Sequence, residues 1–242
     1  MNLIRRELED YRVLLRNIPS LVVTFFIVSV IAMNLLANKE FITAKYFALD
    51  CGFALSWVAF LCMDMICKRF GPRAAAKISI LAMAVNLAVT LLFKLMSLSP
   101  GMWGEYYSTG LTEVNDALNA TFGGTWYVVL GSSIAMILSA ITNSLINQAV
   151  ASRLKSDGFG AFAARSFVST GIAQFVDNLT FALIVSYNFF GWTAAQVIVC
   201  SLTGAFAELL CEVVFSPVGY RVTKSWDREG VGRQYLEYAG RI

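Results

Sequence analysis

The chain has 242 residues, of which 57% are hydrophobic and only 14% charged, with a net charge of +3 and no histidine. A soluble domain of this length could not carry so much apolar surface without exposing large patches, so lipid is the expected solvent for most of it. The missing histidine excludes Ser-His-Asp and Cys-His catalysis, histidine metal sites and histidine proton relays, and the small net charge gives no footing for nucleic acid.

From the N-terminus, residues 1–19 place Ile4, Leu8, Tyr11, Leu15 and Ile18 at helical spacing, with arginines on other faces. That pattern predicts an amphipathic helix lying on the inner leaflet. Six apolar spans follow, near 20–38, 46–67, 78–98, 124–150, 161–188 and 193–219, each long enough for a hydrocarbon core of about 30 Å. They define an all-α, six-helix transmembrane domain over 20–219, and a basic tail occupies 220–242. The first span follows a charged stretch without a small-residue cleavage site, so it reads as a retained span rather than a signal peptide. The outer loop 99–123 carries Trp103, Tyr106, Tyr107 and Phe122 with Glu105, Glu113 and Asp116, and Leu111, Val114, Leu118 and Phe122 share one face of a short helix. An aromatic membrane belt is the preferred reading of these residues, with a lid over an outward pocket as the alternative. The cysteines Cys51, Cys62, Cys67, Cys200 and Cys211 form no CxxC pair and read as buried small hydrophobes. There is no phosphate-binding glycine loop, so the chain does not itself hydrolyse ATP in that way.

Charge then orients the spans. Arg5, Arg6, Arg12 and Arg16 precede the first, Lys68, Arg69, Arg73 and Lys77 separate the second and third, Arg153, Lys155 and Arg165 separate the fourth and fifth, and Arg221, Lys224, Arg228, Arg233 and Arg241 follow the sixth. Only Lys39, Lys45 and Lys94 lie on the other side, so 16 of 19 basic residues share one side. The positive-inside rule puts that side, with both termini, in the cytoplasm.

Polar residues inside spans are costly and face bundle interiors or cavities. Ser132, Ser139, Asn143 and Asn147 form one stripe, Thr170, Gln174, Asp177, Asn178 and Phe181 a second, and Ser201, Gly204, Glu208 and Glu212 a third. Asn34, Asp50, Ser56 and Asp64 add to these from the first two spans. Asp64 stands one turn before Lys68 and reads as its ion-pair partner, and Glu212 reads as snorkelling or pairing near Arg221. Asp177 and Glu208 are different. Asp177 lies mid-span with no basic residue in any span core to neutralise it, and an isolated buried carboxylate costs several kcal/mol or takes up a proton. A ligand, an ion or a proton is its expected partner.

The stretches "MDMICKRFGPRAAAK" (63–77), "GSSIAMILSAITNSLINQAVASRLK" (131–155) and "SFVSTGIAQFVDNLTFALIVSY" (166–187) resemble the VUT family of queuosine precursor transporters, over most of residues 30–220. Lys68 departs from that pattern, where many members carry an acidic residue. The resemblance implies import of 7-deazaguanine bases across a cell inner membrane, with no cofactor, no catalysis and a small molecule as cargo. A carboxylate accepts hydrogen bonds from both the ring N–H and the exocyclic amine of a guanine-like edge, amides serve its other polar atoms, and aromatic rings stack on its face. Asp177, Asn178, Glu208, Asn143, Asn147, Asn34 and Gln174, with Phe181, Trp57 and Trp126, are the candidates for such a box. So small a bundle is compatible with a homodimer, though no motif shows one. The alternatives are a substrate-binding subunit served by a separate ATP-driven module and an intramembrane aspartyl protease. The first span has no AxxxA docking pattern, and no GxGD surrounds Asp64 or Asp177.

The charge asymmetry makes a direct prediction. Reporter fusions after residues 75, 157 and 235 should all score cytoplasmic, and one near residue 110 should score external. A periplasmic signal at 157 would break the six-span scheme.

Overall fold

The computed structural model describes residues 3–153 and 159–241, with side chains described except at 3–4, 144, 147–148, 151–153 and 159–166. Helix α1 (Leu3–Asn17) leads into α2 (Ser20–Leu36), followed by a hairpin of β1 (Glu40–Ala44) and β2 (Phe47–Asp50). Helices α3 (Phe53–Phe70) and α4 (Pro72–Ser97) come next, then short α5 (Gly104–Thr109) and α6 (Thr112–Gly124), then α7 (Trp126–Arg153) and α8 (Phe159–Phe181). A π-helical turn (Ala182–Ser186) carries α8 into α9 (Tyr187–Phe189), and α10 (Ala194–Glu229) and α11 (Arg233–Tyr238) complete the chain.

Among the described residues, four helical stretches are long and apolar enough to cross a membrane: Pro72–Ser97, Thr112–Asn143, Phe167–Phe189 and Ala194–Glu229. A fifth is counted if Arg5–Asn17 and Ser20–Leu36, which meet at 109°, are taken together. The second expected span, 46–67, looks different in the structure. Residues 47–50 are strand, and the helix begins only at Phe53. Asp50 accordingly lies ahead of the helix, where its Oδ1 accepts the Phe53 N–H at 3.2 Å and caps α3. Helix α3 is 18 residues long, about 27 Å, but it carries Asp64, Lys68 and Arg69 toward one end, which dilutes its apolar character.

Two compact units divide the chain. The first comprises Met1–Ala32, Leu55–Asn86 and Glu212–Ile242. Its core is Leu14, Ile66, Phe70, Ile78, Trp226 and Tyr235, all buried. Gly71, at φ 94°, ends α3 in the left-handed region, and Pro72 opens α4 with its ring-fixed φ. Arg69 ties α3 to the last turn of α10, reaching Asp227 at 2.7 Å and the Val231 carbonyl at 2.7 and 2.9 Å. Lys77 Nζ gathers Glu7 at 2.8 Å and Asp10 at 2.7 Å, so α1 docks on the start of α4. Burial alone would raise the Asp10 carboxyl, but hydrogen bonds to Lys77 and Tyr238 hold it below the usual range. Inside α10, Pro217 has no N–H for the Val213 carbonyl, and the Ser216 hydroxyl donates to that carbonyl instead, at 3.1 Å.

The second unit comprises Met33–Ala54 and Leu87–Cys211. Helices α7 and α8 make its most extensive helix contact, and the Ser139 hydroxyl donates to the Ala173 carbonyl across it at 3.0 Å. The 99–123 loop is tied down: Trp103 stacks on Phe122 with centroids 4.9 Å apart, and its indole N–H donates to Asn119 at 2.7 Å. The hairpin is held by Glu40, which accepts the Trp192 indole N–H at 3.1 Å.

Gly131 of α7 meets the π-helical turn closely, where an added Cβ would come within 2.5 Å of the Val185 methyl. Val185 is fully buried and has nowhere to retreat. Gly131→Ala should therefore cost on the order of 1–3 kcal/mol through overpacking and lower the unfolding temperature of the purified protein. Gly124→Ala, whose nearest neighbour would be Tyr127 at 3.8 Å, should not.

Candidate functional site

The candidate residues fall on α8 and α10 within the second unit. Phe167–Phe189 is one candidate span, and Asp177 stands close to its midpoint. Gly171, Gln174 and Asn178 are spaced by three and four residues and share one face of α8. On α10, Gly204 and Glu208 are one turn apart and face it. A Cβ at Gly204 would sit 3.2 Å from Asn178 Oδ1, and one at Gly171 would sit 3.6 Å from Leu209 Cδ2. Small residues thus let the two backbones approach, as they do between helices in lipid.

That approach brings Asn178 and Glu208 together. The Asn178 amide donates to Glu208 Oε2 at 2.9 Å and to the Gln174 carbonyl of its own helix at 3.0 Å. Both side chains are partly buried and Gln174 is buried. Asp177 is one residue before Asn178, about 100° away from it round α8. It too is partly buried, and among the described residues it makes no hydrogen bond and no ion pair. The group therefore offers two carboxylates and two amides on two neighbouring spans, one carboxylate bound to an amide and the other open.

Phe181 closes the same helix and packs against the cluster of Ala37, Val128 and Val185. The next residue begins the π-helical turn, a feature that often accompanies functional positions in helices. Asn34, on α2, is buried. The Asn143 side chain is exposed on α7, and Trp126 is 48% exposed at the first position of α7. The Asn147 side chain lies outside the described residues, as do those of Arg153, Lys155 and Arg165. Trp57 belongs to the first unit, where it stacks on Phe215 with centroids 4.0 Å apart.

The first unit holds a pairing that spacing along one helix could not reveal. Asp64 of α3 is hydrogen-bonded to Glu212 of α10, with Lys68 exerting a secondary attraction. Lys68 itself lies over the Tyr220 ring, 4.3 Å from its centroid. Among the described residues no group of three or more Asp, Glu, Cys or His is placed to hold a metal ion, and all five cysteines are free thiols.

Several long apolar helices define a multi-pass membrane protein. The family model described as "Putative vitamin uptake transporter" matches residues 50–222. The chain belongs to that family, and the matched segment contains Asp64, Asp177, Asn178, Glu208 and Glu212. No curated protein and no solved structure matches it.

Hydrogen bonds between side chains in membranes are worth about 0.6 kcal/mol on average and up to about 1.7. Asn178→Ala removes both amide bonds and should destabilise the protein within that range. Glu208→Gln keeps an acceptor for Asn178 and should cost less. Thermal unfolding of the two purified variants against wild type checks the order.

Proposed function

We propose that this transporter imports queuosine precursors, 7-deazaguanine bases or queuine, across the inner membrane. In this reading six spans cross the bilayer, both termini are cytoplasmic, and the base is gripped mid-membrane by the α8–α10 group. The observation that carries it is the Asn178–Glu208 contact beside Asp177, an open carboxylate in the middle of a span. The family's description as a vitamin uptake transporter supports the wider class, and the resemblance of residues 131–155 and 166–187 to queuosine precursor transporters supports the substrate.

The chemistry runs as follows. Asp177 accepts the ring N–H and the exocyclic amine of the guanine-like edge, satisfying a carboxylate that otherwise holds its place at a cost of several kcal/mol. Glu208, held by Asn178, is the second acceptor, suited to a cationic aminomethyl substituent. Gln174 and Asn178 supply amide contacts, and Phe181 presents an apolar ring near the end of α8. Adenine offers an acceptor where the guanine edge has its N–H, so it would repel the carboxylate and leave it half satisfied. Sites of this kind reject a wrong partner by several kcal/mol, because their buried polar groups are left unpaired.

Two measurements test the reading. In cells unable to make queuosine, the wild-type chain should restore the modification when a precursor is supplied, and Asp177→Asn should abolish uptake at near-normal membrane expression. Glu208→Gln should do nearly the same despite its small cost in stability. With purified protein, queuine or its precursors should raise the unfolding temperature, guanine should do so weakly and adenine not at all. The shift should shrink in Asp177→Asn. Equal stabilisation by adenine would show that the site reads only a flat ring.

A further inference from the structure

Helix α1 presents two faces of opposite character. Glu7, Asp10, Tyr11, Leu14 and Ile18 point into the first unit. Leu14 and Ile18 are buried, Lys77 holds both carboxylates, and the Tyr11 hydroxyl donates to the Lys77 carbonyl at 3.2 Å. The apolar stripe expected to meet lipid is therefore divided, with Tyr11 and Ile18 turned to protein. A separate arc of the helix, about 100° wide at 100° per residue, carries Leu15, Leu8, Arg12, Arg5 and Arg16 in that order round the axis. Leu8 is 64% exposed and Leu15 42%, and the three arginines are exposed. Among the described residues none of these arginines makes an ion pair: Lys77 holds Glu7 and Asp10, and Glu9, exposed at the edge of the arc three residues from Arg12 and four from Arg5, pairs with neither.

The direction of α1 gives this arc its partner. Helix α2 leaves α1 at 109°, close to a right angle. Its own exposed face is led by Leu21, Phe25 and Val28, with the small hydroxyl of Thr24 beside them, and is suited to acyl chains. In the six-span reading α2 crosses the bilayer by itself, and a helix set nearly square to it lies along the membrane surface. Its leucines then sit at the acyl boundary and its arginines at the level of the phosphates.

We infer that the Arg5–Leu8–Arg12–Leu15–Arg16 face of α1 is a docking surface for an anionic phospholipid leaflet. The arginines bind headgroup phosphates, and the leucines enter the outermost acyl layer. Positive charge alone would serve any anion, but the interleaved leucines and the right-angled exit of α2 select a lipid surface over a soluble acid. This inference rests on the membrane reading above but not on the identity of the transported base.

The test uses the purified full chain in neutral detergent, titrated with phosphatidylglycerol or with phosphatidylcholine. Phosphatidylglycerol should raise the unfolding temperature more than phosphatidylcholine, and high salt should erode the difference. Arg5→Gln/Arg12→Gln/Arg16→Gln should lose more than half of that difference, and the same three positions changed to Lys should keep most of it. Arg228→Gln/Arg233→Gln, which removes exposed charge elsewhere, should leave it intact. Equal shifts from the two lipids, or an equal loss in the Arg228/Arg233 variant, would overturn the inference. Stabilisation by the transported base should survive in the triple glutamine variant, so failure here is distinguishable from failure of the proposed substrate.

Discussion

A side chain that can ionise inside a hydrocarbon layer has few ways to exist, and the positions of Asn178 and Glu208 follow from that constraint. Water is not at hand to solvate a mid-span carboxylate, so another part of the protein, a proton or a ligand must do so. Here one amide on α8 meets one carboxylate on α10 at 2.9 Å. The contact needs the two backbones close together, and Gly204 and Gly171 allow that. Asp177, adjacent in sequence but turned about 100° away, does not share this partner. The same α-helical geometry that satisfies one polar group leaves its neighbour open, and the proposed cargo contact is placed there for that reason.

The other unit handles its charges differently. Lys77 gathers Glu7 and Asp10, Arg69 spans Asp227 and the Val231 carbonyl, and Asp64 shares a hydrogen bond with Glu212. Nearly every contact of this kind ties one helix to another. Such ion pairs are worth little where they are exposed to water, about 0–1 kcal/mol, but they fix α1 against α4 and α3 against α10. The arginines left over on α1 are then free to face outward.

Irregular backbone occurs where helices must be bent or joined. Pro217 interrupts the hydrogen-bond ladder of α10, and the Ser216 hydroxyl takes over for the missing N–H. The π-helical turn begins directly after Phe181 and presses Val185 against Gly131. Both departures supply local donors or close packing in place of the regular ladder, as a segment without access to water requires.

Composition and hydropathy were enough to read the class of this protein, because a lipid-facing surface demands long apolar helices whatever their arrangement. The stripes of polar residues were legible for a similar reason: period 3.6 determines which residues share a face, and Gln174, Asn178, Gly204 and Glu208 do face one another. Helix boundaries were less legible. Residues 47–50 are apolar enough to extend a span, yet they pair with β1, and Asp50 caps α3 instead of entering it. Partner choice across helices was not legible at all. Asp64 has Lys68 one turn away on its own helix, and only the packing of α3 against α10 reveals Glu212 as its hydrogen-bond partner. The two faces of α1 were hidden likewise, since Leu8, Tyr11, Leu15 and Ile18 form one stripe in sequence until α4 and α11 claim part of it. Periodicity orders residues around a single axis, but which neighbour meets each face is decided by how the helices come together.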